Sequence, residues 1–302
     1  MTPASEHTQA HTVLQTREQI HSTARRSDDA SVDRRGHTSP IAHLLIVLLG
    51  LILVFGPGCK SAPEEDDAAT IAPDPLELEQ PEIDPNSLAL EALAYTVRGE
   101  EQSGILCRYP GLIRAPVLIM LHDELGFDAW FLKRAENYAR LNPGVVVVAP
   151  DLRDLPADAP AEVVAENIRA ATDAAIERVG YRSQPRIGAI GWSTGGVHAL
   201  TAGRLLDLDL VIICYGRLSG TEEELFDLRE PVRGIFGQQD EVVPLTQVVD
   251  FRERMARLAG DFEAQVWQEE GHGFLRTPVD ATNAREAEDE IIFWIDRYLI
   301  MD

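Results

Sequence analysis

Arg186-Ile187-Gly188-Ala189-Ile190-Gly191-Trp192-Ser193-Thr194-Gly195-Gly196 decides the fold. An apolar segment that reads as a buried strand passes through Gly-x-Ser-x-Gly directly into a helix. That is the setting of a nucleophile elbow, where a serine sits on a strained strand-to-helix turn. Gly191 and Gly195 let backbones pass close to the turn, and Gly196 lets the helix pack down on the sheet. The helix N-terminus aims its unsatisfied N–H groups and partial positive charge at Ser193. Glycine and serine are common enough for the pentapeptide to arise by accident, so the flanking chain must carry the reading.

Outward from the elbow, strands alternate with helices. Residues 92–98 and 104–109 read as two short strands joined by a turn at 99–101. Residues 117–122, 144–149, 210–215, 232–236 and 262–267 read as further strands, several of them continuously apolar, as expected when both faces are buried. Helical spacing covers 129–141, 161–179, 248–258 and 285–299. This pattern predicts an α/β-hydrolase fold over 88–302, with a mostly parallel, doubly wound sheet and helices on both faces. Only Gly216 to Pro231 lie between two of the strands where a cap domain would be inserted, so no large cap is expected and the pocket should be open. Residues 152–160 and 217–230 would form its rim.

A serine hydroxyl becomes a useful nucleophile when a base takes its proton, usually a histidine oriented by a carboxylate. Two histidines follow Ser193. His198 lies one and a half turns into the same helix and points away, which leaves His272 in Glu270-Gly271-His272-Gly273-Phe274. The orienting acid should come from the intervening strand end, where Asp240 is favoured and Glu241 is the fallback. The order Ser…Asp…His is that of the α/β-hydrolases. For the oxyanion, the Thr194 N–H is one donor, and the loop after residues 117–122 offers the Glu124 N–H as the second. His122 and Asp123 alone do not make a metal site, because no further histidine or cysteine clusters with them; neither metal nor cofactor is expected.

These residues resemble the dienelactone hydrolase family over roughly 90–300. The motifs are His-Asp-Glu-Leu-Gly at 122–126, Ala-Pro-Asp-Leu at 149–152, Gly-Trp-Ser-Thr-Gly-Gly at 191–196, Asp240 in its Gly-x-x-Asp loop, and Gly-His-Gly-Phe at 271–274. The resemblance implies a cofactor-free hydrolase of ester or lactone bonds. The family archetypes carry cysteine where this chain has Ser193. They also carry a glutamate that meets the nucleophile, at the place of Asp123, and two arginines that hold a substrate carboxylate. Arg276 matches one arginine; the other falls near Leu155, with Arg153 as the available substitute. Each arginine reads either as a substrate contact or as half of a surface ion pair. Trp192, next to the nucleophile, joins Arg276, Arg153 and Asp123 as a candidate substrate contact.

The chain has 302 residues, 45% of them hydrophobic, and a formal net charge of −23. So acidic a protein is a poor partner for nucleic acid or an anionic membrane surface. Residues 1–40 read as a polar, disordered extension. Within 41–59, an apolar run at 41–55 follows Arg34-Arg35 and precedes Gly56-Pro57-Gly58-Cys59. The run is short against the roughly 20 residues of a membrane span and suits a signal-peptide h-region. It resembles a bacterial lipobox with Cys59 as the lipidated residue, although Gly56 replaces the usual aliphatic residue; an uncleaved membrane anchor is the alternative. Residues 60–87 hold nine acids and five prolines between Ser61 and Ser87 and read as an extended tether. Cys107 and Cys214 fall in predicted strands and read as buried thiols.

The sequence thus predicts a lipid-anchored serine esterase of the bacterial cell envelope, acting on a small-molecule ester or lactone. The competing readings are a serine peptidase of the prolyl-oligopeptidase type, disfavoured without a propeller, and a non-catalytic envelope lipoprotein that keeps the fold.

Overall fold

The computed structural model describes residues 87–141, 144–156 and 159–301. The expectations for 1–40, 41–59 and, Ser87 apart, 60–87 lie outside the described residues.

Strands β1 (Ala89–Val97) and β2 (Glu100–Arg108) form a hairpin paired from Val97↔Glu100 to Ala89↔Arg108. Its turn is Arg98-Gly99, both at positive φ (51° and 86°), the primed geometry whose twist matches the flanking strands. Sequence reading started both strands late and put the turn at 99–101. The cause is visible in β1, whose first four residues bury no side chain fully and so carry little apolar signal.

Strands β3 (Val117–Leu121), β4 (Val146–Pro150), β5 (Ile187–Trp192), β6 (Leu210–Cys214) and β7 (Val232–Gly237) are buried at every position. With β8 (Phe262–Trp267) they complete an 8-stranded sheet of order β1-β2-β4-β3-β5-β6-β7-β8. Pairing is antiparallel at β1/β2 and β2/β4 and parallel elsewhere. This is the expected mostly parallel, doubly wound α/β-hydrolase sheet.

Period-two alternation divides each strand between two cores. From β3, Val117, Ile119 and Leu121 face the layer built from helices α2 (Ala161–Val179), α3 (Thr194–Leu205) and α5 (Leu245–Arg257). Leu118 and Met120 face the opposite layer, of α1 (Ala129–Ala139) and α6 (Ala281–Ile295). A π-helical turn at Asp296–Ile300 continues α6. Between β6 and β7 stands only α4 (Glu222–Leu225), closed by a Thr221/Glu224 capping box; four residues are too few to show a helical period. No large cap is present among the described residues. Caps explain two other boundary differences. Helix α5 begins directly after Pro244, and α6 begins where the Asp280 carboxylate accepts the Thr282 N–H. Cys107 and Cys214 are free and buried.

The layers close most tightly around the elbow. A Cβ on Gly191 would lie 1.9 Å from the Gly195 oxygen, and one on Gly195 would lie 2.0 Å from the Leu121 oxygen. Gly195→Ala should therefore cost at least about 3 kcal/mol, because backbone rather than a flexible side chain must yield. That corresponds to a fall in Tm of about 6–12 °C for a domain of this size. A Cβ on Gly271 meets nothing nearer than the Gln239 oxygen at 3.8 Å. Gly271→Ala is the control and should melt within about 2 °C of the parent.

His198 packs, half-buried, in α3, where burial first and the His122 charge second push its pKa down from 6.5 to about 4. Below pH 6.5 the unfolded chain takes up a proton that the folded chain refuses, so this residue's contribution is full above pH 6.5 and is lost as the pH falls towards 4. Between pH 7.5 and pH 5 the loss should be about 1–2 kcal/mol. Thermal melts of parent and His198→Asn at the two pH values should show the parent losing several degrees more than the variant.

Candidate active site

The closest packing in the fold delivers Ser193 to the carboxyl edge of the sheet. Ser193 follows β5 with φ 52° and ψ −115°, a conformation that costs a non-glycine residue about 1–3 kcal/mol and persists only where its surroundings over-determine it. Here the Ser193 N–H donates to the Cys214 carbonyl at 3.0 Å, and the Ser193 carbonyl accepts the Gly196 N–H at 3.0 Å. The flanking glycines remove any Cβ that would block the turn. The Thr194 N–H, at the first position of α3, belongs to the amides that a helix leaves without an internal partner.

Two loops bring a histidine and an aspartate to Ser193. His272 stands between Gly271 and Gly273 after β8, and its Nε2 lies 3.0 Å from Ser193 Oγ. Its Nδ1 lies 2.9 Å from Asp240 Oδ2. Asp240 follows β7, and its side chain is 0% exposed. Asp240 Oδ1 accepts the N–H groups of Val242 at 2.7 Å and Val243 at 2.8 Å, which fixes the carboxylate's rotation. A carboxylate only accepts, so the imidazole carries its proton on Nδ1, and Nε2 presents a lone pair to the serine hydroxyl. The Tyr215 ring, at a strained φ of 42°, packs edge-on against the imidazole at 5.2 Å. Asp240, favoured in the sequence, is thus the acid at the histidine, whereas the fallback Glu241 is exposed.

The remaining expectations divide. Glu124, singled out for its amide, brings its carboxylate to the nucleophile. Glu124 Oε1 lies 3.2 Å from Ser193 Oγ and also accepts from the Thr194 hydroxyl. Burial opposes its ionisation, but hydrogen bonds from Thr194, its own amide and Ser193, together with the His272 charge, hold its pKa below the ordinary value. Asp123, aligned with the family's glutamate, turns elsewhere: Oδ1 accepts the Leu125 N–H at 3.0 Å, and Oδ2 pairs with the Arg276 guanidinium at 2.8 Å.

Arg276 is in consequence no open substrate clamp. It bonds both Asp123 and Asp128 and lies 4.2 Å over the Trp130 ring. Arg134 lies 3.7 Å over the same ring. Both guanidinium groups are thus within cation–π reach of Trp130. Arg153 is engaged as well, in a two-pronged ion pair with Asp151. Trp192 is wholly buried, because alternation along β5 sends it to the far face, edge-on to Trp130 and Phe131. Neither Arg153, Arg276, Asp123 nor Trp192 lines the cleft at Ser193. His122 spends both ring nitrogens locally, with Nδ1 2.7 Å from the Asp123 carbonyl and Nε2 accepting the Leu152 N–H at 3.0 Å.

The cleft encloses about 330 Å³ between Glu124, Ser193, Thr194, Val197, Tyr215, Arg217, Val242 and His272. Arg217, which sequence reading passed over within the predicted rim, is exposed and forms no ion pair among the described residues. Residues 152–156 contribute nothing to this lining. A larger hollow of about 540 Å³ lies at the opposite edge of the sheet, between the segments entering β3 and β5, and is lined without histidine, cysteine or acid.

Comparison with known proteins agrees with this fold. The family model described as dienelactone hydrolase family matches residues 104–298. A carboxymethylenebutenolidase homolog of Xenopus tropicalis is 29% identical over 123 residues, 38% of this chain and 49% of that protein. The mouse counterpart is 26% identical over 124 residues, with the same shares. The chain thus aligns with about half the length of the curated relatives it matches. Among solved structures, a putative dienelactone hydrolase from Klebsiella pneumoniae superposes with a TM-score of 0.60 at 19% identity, covering 70% of this chain and 100% of the other. An acylaminoacyl peptidase from Pyrococcus horikoshii gives a TM-score of 0.59 at 16% identity, covering 70% and 42%, and shares the fold. With the matched segment spanning most of the described residues, this chain belongs to the dienelactone hydrolase family.

Proposed function

We propose that this protein is a serine hydrolase that cleaves carboxylic ester or lactone bonds through an acyl-enzyme. The observation that carries the reading is the unbroken chain of contacts from Ser193 Oγ to His272 Nε2 at 3.0 Å and from His272 Nδ1 to Asp240 Oδ2 at 2.9 Å. In this mechanism Ser193 Oγ attacks the carbonyl carbon while its proton passes to His272 Nε2. Asp240 stabilises the imidazolium that forms. The tetrahedral oxyanion is met by the Thr194 N–H; the Glu124 N–H, the second donor expected from the sequence, instead donates to its own carboxylate. Collapse expels the alcohol, which takes the proton from His272. Water then repeats the sequence on the acyl-serine, losing its proton to His272 and releasing the acid.

The Ser193 hydroxyl has one proton and two acceptors within reach, His272 Nε2 and Glu124 Oε1. The reaction uses the first. The ionised Glu124 keeps negative charge beside Ser193 Oγ.

At the envelope, the apolar segment and Cys59 would tether the hydrolase through the acidic linker. Fluorophosphonate treatment of membrane-extracted protein, followed by mass spectrometry, reads both halves of the proposal. The adduct should fall on Ser193 and acylation on Cys59. Ser193→Ala should lose the adduct and at least about 10³-fold in kcat on short p-nitrophenyl esters. Undiminished turnover in that variant would remove Ser193 from the chemistry, and an unmodified Cys59 would remove the lipid anchor.

Charge selectivity should follow the arginine that faces the cleft rather than those matched by resemblance. With an ester bearing a remote carboxylate, Arg217→Ala should raise KM about threefold to tenfold, the effect of one partly solvated charge pair. Arg153→Ala should leave KM unchanged, since Asp151 already occupies its guanidinium. A steady-state comparison of charged and neutral esters checks both.

A further inference from the structure

Glu270 is 0% exposed and sits two residues before His272, yet it does not line the cleft. Its carboxylate accepts three N–H groups: Oε2 from Val279 at 2.9 Å, and Oε1 from Asp280 at 2.9 Å and from Asn283 Nδ2 at 3.0 Å. No cation pairs with it among the described residues. Its backbone is equally committed. The Glu270 carbonyl accepts the Gln239 N–H at 2.8 Å, from the residue directly before Asp240. Gly237 presses on the same carbonyl so closely that a Cβ there would lie 2.3 Å from its oxygen.

One residue therefore ties three segments together. Its carbonyl holds the loop that carries Asp240, its side chain holds the segment that opens α6, and its own chain carries His272. A buried carboxylate without a counter-ion is costly unless its hydrogen bonds are made, and here it satisfies three N–H donors that an apolar residue would leave unpaired. What the carboxylate adds is direction, since three convergent donors permit one orientation of the loop.

We infer that Glu270 is a positioning residue, holding the His272 loop where Nδ1 meets Asp240 and Nε2 meets Ser193. The inference rests on the proposed Ser193–His272–Asp240 hydrolysis. A displacement near 1 Å at such a centre costs about 10²-fold in rate.

The test measures kcat and KM per folded protein, with the folded fraction taken from size exclusion and near-UV circular dichroism. Glu270→Ala should lower kcat about 10- to 100-fold while KM stays within about twofold. Glu270→Gln keeps the volume but opposes one N–H with another, and should show an intermediate loss in the same sense. Asn283→Ala removes one donor of three and should show a smaller one, which keeps the inference testable if Glu270→Ala does not fold. Unchanged kcat per folded protein in these variants, with only a lower Tm, would reduce Glu270 to a stability role. An active Ser193→Ala would instead overturn the hydrolase reading itself, and the two failures are distinguishable.

Discussion

Three backbones meet at the elbow with no room for a side chain. The turn after β5 folds back on the start of α3, and α3 lies against the end of β3 at separations only glycine permits. That closeness holds Ser193 in a backbone conformation it would not otherwise keep, and so sets the height of its hydroxyl above the sheet. The other loops are then referred to that point. The Asp240 loop follows β7, the His272 loop follows β8, and Glu124 follows β3, all at the carboxyl edge of the same parallel sheet. A parallel sheet delivers every strand's exit to one edge, and the site is the place where those exits converge.

Electrostatics around the site is mostly settled before any ligand arrives. Asp240 is saturated by two amides and an imidazole. Arg276 is shared between two carboxylates and an indole face, and Arg153 is clasped by Asp151. Among the described residues, the guanidinium of Arg217 stands at the cleft without an ion pair, beside the Ser193 hydroxyl and the His272 nitrogen that it meets. Preorganisation of this kind lets donors and charges act on a reacting group without first rearranging.

Much of this was legible in the sequence, for identifiable reasons. Ser193, Asp240 and His272 could be placed because each must leave the end of a strand, and apolar strands such as 117–122 and 210–215 announce themselves. The two-residue turn at Arg98-Gly99 was misread because β1 is half exposed along its length. Directions of side chains were harder still. Nothing local says that the Glu124 carboxylate, rather than that of Asp123, turns toward Ser193; that depends on the course of the loop after β3. The pairing of Arg276 spans 153 and 148 positions to its two acids, a separation at which sequence gives no warning of contact. Trp192 was the exception that alternation alone could have settled, since adjacent positions on a strand face opposite layers.

The segment between β6 and β7 separates two duties along one short stretch. Leu218, Leu225 and Leu228 anchor it in the core, while Arg217 stands exposed at the cleft. Its side chain is exposed between buried Gly216 and Leu218, so it presents its charge at the cleft while its neighbours hold the segment in place. A substitution there changes the charge at the cleft edge, whereas the turn at Ser193, locked between glycine backbones, has no room to change.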